Sequence, residues 1–123
     1  MSRLKQEILS SVLGTASADT ARHTCSYCFA PEFVGFQGHF PGHPVLPAFV
    51  QVLAAQTAME LRNGGPLPLQ QVKRAKFMKT IHPGDEVGIH WSEEVEAGNL
   101  VGRVTVTVSG EKAAVFTLCL GRS

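Results

Sequence analysis

Two histidines stand among closely spaced prolines and glycines in Phe36-Gln-Gly-His-Phe-Pro-Gly-His-Pro-Val-Leu-Pro-Ala48. Histidine takes up and releases a proton near neutral pH, so His39 is a candidate general base. The prolines stiffen the segment, and Pro47 suits the first position of a helix, where a missing N–H costs nothing. A helix start presents backbone N–H groups that have no intrahelical acceptor. Beside His39, such donors polarise a carbonyl oxygen as charge develops on it. A base next to a polarised carbonyl is equipped to remove a proton α to that carbonyl. A Pro/Gly turn whose histidine only caps backbone groups is the plainer reading of the same residues.

Other elements must hold this loop. After Pro47, Ala48 to Leu61 reads as a helix that is apolar on nearly every side, which marks a helix enclosed by other structure. Arg62-Asn63-Gly64-Gly65 closes it with a basic last turn and residues at ease in the left-handed region. Ahead of the loop, Leu4, Ile8, Leu9, Val12 and Leu13 fall at helical spacing, predicting a short amphipathic helix over 3–13 that ends at Gly14. The Thr, Tyr, Phe and Cys content of Thr20–Phe29 predicts a strand. Four further strand-like runs follow: Leu69–Ile81, Glu86–Val95, Leu100–Ser109 and Lys112–Leu120. Short turns between them predict an antiparallel meander. In the third run Val104, Val106 and Val108 face one way, and Arg103, Thr105 and Thr107 the other. The expectation is an α+β architecture with one long central helix wrapped by a curved antiparallel sheet.

Composition narrows the function. The 123 residues fit a single domain over 1–123. They carry 11 basic and 10 acidic side chains, a net +1, which argues against nucleic-acid binding driven by bulk charge. No charged residue lies between Glu32 and Glu60, but the glycines and prolines there exclude a membrane span. No apolar segment follows the basic residues near Met1, so a cytoplasmic location is expected. Cys25, Cys28 and Cys119 are too few for a disulfide framework. Cys25 and Cys28, followed by His39 and His43, come near zinc-finger spacing. However, Phe40-Pro41-Gly42 cannot continue the helix a finger needs, and Cys25 and Cys28 point to opposite faces of a strand. Lys73, Arg74, Lys76 and Lys79 form a basic cluster. It reads either as a solvated sheet face or as a docking patch for an acidic protein.

The run Gly38-His-Phe-Pro-Gly-His-Pro-Val-Leu-Pro47 closely resembles the signature of the 3-hydroxyacyl-[acyl-carrier-protein] dehydratases, which have the hot-dog fold. The resemblance extends to Pro31–Phe36, Ala75-Lys-Phe77 and Pro83-Gly-Asp85, and spans roughly residues 20–95. The short N-terminal region is more similar to small dehydratase-like proteins of secondary-lipid and aryl-polyene pathways. The resemblance implies that His39 removes the proton from C2 of the substrate. It implies that the Ala48 N–H binds the thioester carbonyl, and that Phe40, Phe49 and Val52 line the acyl tunnel or its adjoining core. It further implies a homodimer or higher homo-oligomer, with the site at the subunit interface. The substrate would be carried by acyl carrier protein or coenzyme A, with no cofactor, no nucleic acid and no membrane involved.

Two positions depart from the family pattern. Ala48 replaces a glycine, a mild change at a helical position. The family's catalytic Glu or Asp, fourteen residues after the histidine, is Leu53. Gln56, one turn from Leu53, is placed to hold a water but has no proton to give at neutral pH. Glu60 lies ~10 Å further along the same face. Glu32, before the loop, reads as a solvated carboxylate. Losing a general acid costs ~10²–10⁴ in rate. These residues therefore fit a slow dehydratase or a non-catalytic acyl-thioester-binding protein. An acyl thioesterase is the other enzymatic alternative, but it too generally depends on a carboxylate that Leu53 removes, and the signature around His39 favours dehydration.

Overall fold

The computed structural model describes residues 3–17, 21–36, 42 and 44–122. In chain order the elements are α1 (Arg3–Ser10), β1 (Val12–Ser17), β2 (Arg22–Cys28), a 3-10 turn (Val34–Phe36), α2 (Ala48–Asn63), β3 (Leu69–Phe77), β4 (Glu86–Glu96), β5 (Asn99–Val108) and β6 (Glu111–Leu120). The strands form one six-stranded antiparallel sheet in the order β1-β2-β4-β5-β6-β3.

Alternation along the strands sends one set of side chains toward α2. Cys25 and Tyr27 of β2, Ile89 and Trp91 of β4, Val104 and Val106 of β5, and Phe116 and Leu118 of β6 are all buried on that side. They pack with Val50, Ala54, Ala55, Ala58 and Met59 of α2. The alanines let helix and sheet approach closely, and Gly102 does the same from the sheet. A Cβ at Gly102 would sit 2.6 Å from the Sδ and Cε of Met59. The Tyr27 hydroxyl donates to the Ala54 carbonyl at 2.8 Å. Its burial pushes the phenol's pKa far up, so it stays a neutral donor.

Five expectations need correction, one of them the extent of β3, which ends at Phe77 rather than Ile81. The first helix ends at Ser10 rather than Leu13, and Val12 and Leu13 open a strand, β1, that was not foreseen. The Ser10 and Ser11 hydroxyls bond back to the carbonyls of Gln6 and Glu7 at 3.0 and 2.8 Å, taking up acceptors the helix end leaves free. Pro47 is the residue before the helix, not its first: its ψ of 152° is extended, and Ala48 begins α2. The meander holds for β4, β5 and β6 only. β3 pairs with β6, and β4 pairs with β2, so the turn at His82–Asp85 carries the chain across the sheet instead of folding a hairpin. Finally, α2 is enclosed on three sides only. Phe49, Leu53, Gln56 and Glu60, at the spacing of one helical stripe, stay partly or largely exposed, Phe49 at 57%.

Candidate active site

The loop before α2 is pinned at both ends. On the upstream side the rings of Phe29, Phe33 and Phe36 meet in sequence, the first pair tilted and the second edge to face, with centroids 4.7 and 5.7 Å apart. The Val34 N–H donates to the Glu7 carboxylate at 2.8 Å. That bond, with the neighbouring Arg3, holds the Glu7 carboxyl below the usual carboxylate range. On the downstream side the Leu46 N–H donates to the Ile81 carbonyl at 2.8 Å. Nothing in the sequence signalled the Glu7 contact, because its partner lies 27 residues away. His39 and Phe40 fall between these anchors and lie outside the described residues.

The start of α2 is uncapped. Pro47 offers no side-chain oxygen, and its carbonyl takes the N–H groups of both Val50 and Gln51, at 3.1 and 3.3 Å. The N–H groups of Ala48 and Phe49 have no partner among the described residues. Ala48 itself is exposed. Two such donors at the positive end of a sixteen-residue helix can stabilise an oxygen acquiring charge.

The residues expected around those donors divide into two groups. Phe49 and Leu53 share the open stripe of α2, while Val52 faces inward at 9% exposure. Gln56 lies on the stripe as well, but its amide Nε2 donates to the Leu67 carbonyl at 2.9 Å. Glu60 is similarly occupied. Its Oε1 pairs with Lys5 at 2.7 Å, and its Oε2 accepts the Leu67 N–H at 2.8 Å. The carboxylate of α2 therefore ties together α1, α2 and the segment leading into β3. Glu32 is exposed, as a solvated carboxylate would be.

Cys25 is fully buried and Cys28 partly exposed, on opposite faces of β2. Burial pushes the Cys25 thiol up, away from its reactive form. His43 also lies outside the described residues, and among the described residues no three His, Cys, Asp or Glu side chains are grouped to hold a metal. No described helix is long and apolar enough to cross a membrane.

A sheet packed on one long helix after a Pro-rich loop is the hot-dog fold, and solved structures agree. The dehydratase heterocomplex ApeI:P from Xenorhabdus doucetiae matches with a TM-score of 0.76 over 90% of this chain and 96% of that one, at 17% identity. The smu.793 protein of Streptococcus mutans UA159, bound to acetyl CoA, matches with a TM-score of 0.69 over 89% and 86%, at 13% identity. The family model of the ApeI-like proteins, described as ApeI dehydratase, matches residues 15–115, and the chain belongs to that family. Among curated relatives, the 3-hydroxyacyl-[acyl-carrier-protein] dehydratase FabZ of Latilactobacillus sakei subsp. sakei (strain 23K) is 38% identical over 91 residues, 68% of this chain. The aligned region spans 65% of that relative's length.

Proposed function

We propose that this chain acts on 3-hydroxyacyl thioesters, eliminating water to give the 2-enoyl thioester. The observation that carries the reading is the uncapped start of α2, where the Ala48 N–H has no partner among the described residues, after the segment that contains His39 in the sequence. The thioester carbonyl accepts from the Ala48 N–H, which stabilises the negative charge that grows on its oxygen when C2 loses a proton. His39 takes that proton. The C2 electron pair forms the double bond to C3 as the C3–O bond breaks, and the departing hydroxyl leaves as water with a proton returned from the imidazolium. Leu53 offers no proton, so one histidine serves both steps and turnover is slow.

Phe49 and Leu53 form the apolar surroundings of the acyl chain, Val52 backs them from the adjoining core, Gln56 borders them, and Phe40 is assigned to the same surroundings by the resemblance alone. The elimination needs only a proton taken from C2 and one returned to the departing hydroxyl, and calls for no cofactor. The substrate is a thioester of acyl carrier protein or coenzyme A, and a cytoplasmic location fits it. The assembly is a homodimer or larger. At the free edge of the sheet β3 exposes Leu69, Val72 and Phe77, followed by Met78, each between 37% and 42%, and an unpaired strand edge of this kind invites a partner.

Hydration of a crotonyl thioester, followed by loss of enoyl absorbance, tests the reading. Activity in the wild type that falls by ~10² or more in His39→Ala supports it. Binding without hydration makes the chain an acyl-thioester-binding protein, and release of free thiol makes it a thioesterase.

A further inference from the structure

We propose that a groove on the outer face of the sheet, between β3 and the β4–β5 turn, binds the phosphate of the arm that carries the acyl thioester. The proposal rests on the thioester reading above and adds a site to it.

The groove begins with an irregularity in β3. Lys73 pairs with Thr117 and Lys76 with Val115, so β3 spends three residues where β6 spends two. That is a bulge, and it re-aims the side chains around it. Arg74 occupies it with a φ of 54°. Three non-glycine residues among those described have positive φ, and the other two, Ala97 and Ser109, sit in tight turns before Gly98 and Gly110. Only Arg74 adopts the left-handed conformation inside a strand. An arginine there carries a steric penalty that glycine would avoid. Such outliers persist where the surrounding structure has a use for them.

The consequence is that Lys73 and Arg74, consecutive in sequence, line the same concavity of about 400 Å³. In a regular strand they would face opposite sides. Across the groove Arg103 adds a third guanidinium or ammonium group, and Thr117 and Asn99 add a hydroxyl and an amide. Arg103 is balanced by an ion pair with Glu94, and Glu96 stands at the rim. Lys73 and Arg74 have no ion-pair partner among the described residues. Val101 is the floor: its register with Cys119 puts it on the outer face, yet it is only 6% exposed and lies outside the core cluster. The surface is therefore concave rather than flat.

Two unbalanced cations with further donors around them match a phosphate, whose oxygens are all acceptors. The concavity suits one such group with part of its chain, and it is too small for a duplex or a protein face. Phosphate of this kind occurs in coenzyme A and in the phosphopantetheine arm of a carrier protein.

Calorimetric titration at low salt separates the possibilities with three probes of equal thioester chemistry: acetyl-CoA, acetyl-4′-phosphopantetheine and S-acetylpantetheine, which has no phosphate. Arg74→Gly removes the cation while tolerating the backbone conformation, and Lys73→Gln removes the second charge. We expect each variant to weaken acetyl-CoA by ~10-fold and to leave S-acetylpantetheine unchanged. Equal affinity of the wild type for the two phosphate-bearing probes assigns the groove to the arm's own phosphate. Tighter acetyl-CoA assigns it to the phosphates beyond the arm and overturns the proposal. A wild type that binds acetyl-CoA no better than S-acetylpantetheine overturns the proposal, as does an Arg74→Gly protein that binds acetyl-CoA unchanged. Hydration of crotonyl pantetheine, which has no phosphate, tests the dehydratase reading separately. Phosphate-dependent binding without that turnover leaves the groove standing and removes the reaction.

Discussion

Leu53→Glu places a proton donor where the resemblance implies one, and both its gain and its cost are calculable. Leu53 is half-buried, so exchanging its apolar contacts for a carboxylate loses ~1 kcal/mol of burial. The new carboxylate stands ~10 Å from Glu60 along the same stripe, a repulsion of ~1.5 kcal/mol at an effective dielectric of ~20. Lys5, 2.7 Å from Glu60, offsets much of that. The total is a destabilisation of ~1–3 kcal/mol. A chain of 123 residues gains ~2.1 cal/mol/K of unfolding entropy per residue, so Tm should fall by ~4–12 °C. Against this, a general acid contributes ~10²–10⁴ in rate, and hydration of crotonyl thioester should rise by ~10² or more. Leu53→Gln is the control, since it carries similar bulk and polarity without the proton. A Glu variant no faster than the Gln variant would refute the reasoning. So would a wild type that already turns over at ordinary enzymatic rates, because another residue would then be supplying the acid.

Three further outcomes follow from the packing. Glu60→Ala leaves the Leu67 N–H without its acceptor and Lys5 without its counter-ion, and should cost ~2–4 kcal/mol by denaturant titration, whereas Glu60→Gln keeps the Leu67 bond and should cost less. Glu7 has its pKa lowered in the folded protein by the Val34 N–H and Arg3, so its contribution is present above the ordinary carboxylate pKa and is lost as pH falls through the folded value. Tm measured down through pH 4 and below should accordingly fall less steeply in Glu7→Gln than in the wild type. In native protein at pH 8, iodoacetamide followed by mass spectrometry should label Cys28 and Cys119 well before Cys25, and equal labelling of all three would contradict the burial of β2.

What the sequence disclosed depends on the range of the information. The extents of α2 and β4–β6 follow from periodicity and turn residues within each segment, and were read to within about two residues. The Val12–Leu13 pair misled because it continues the helical spacing of Leu4, Ile8 and Leu9. The pattern runs on past the helix end, where the Ser11 carbonyl accepts the Cys28 N–H at 3.0 Å and ties the chain to β2. His82-Pro-Gly-Asp85 is a true turn, with the Asp85 N–H donating to the His82 carbonyl at 3.1 Å. Turn residues report that the chain reverses, not which strand receives it, so the β3–β6 pairing was hidden. That Leu53 stands where the resemblance implies an acid is a reading of the sequence alone. The occupation of Glu60 by Lys5 was not legible there, since 55 residues separate them.

The pairing of β3 with β6 also sets an order on how the molecule comes into being. Leu69 finds its neighbour in Leu120, 51 residues later, and β6 also pairs with β5. A chain emerging from its N-terminus completes α2 and β3 well before it contains the strand that binds β3 into the sheet. Until Glu111–Leu120 is made, β3 has unpaired backbone on both edges, and α2 lacks the Phe116 and Leu118 side of its packing. Such an intermediate presents the features that promote association between chains. β6 is thus the keystone of this sheet, and a chain cut off near Ser109 should aggregate more readily than one that contains it.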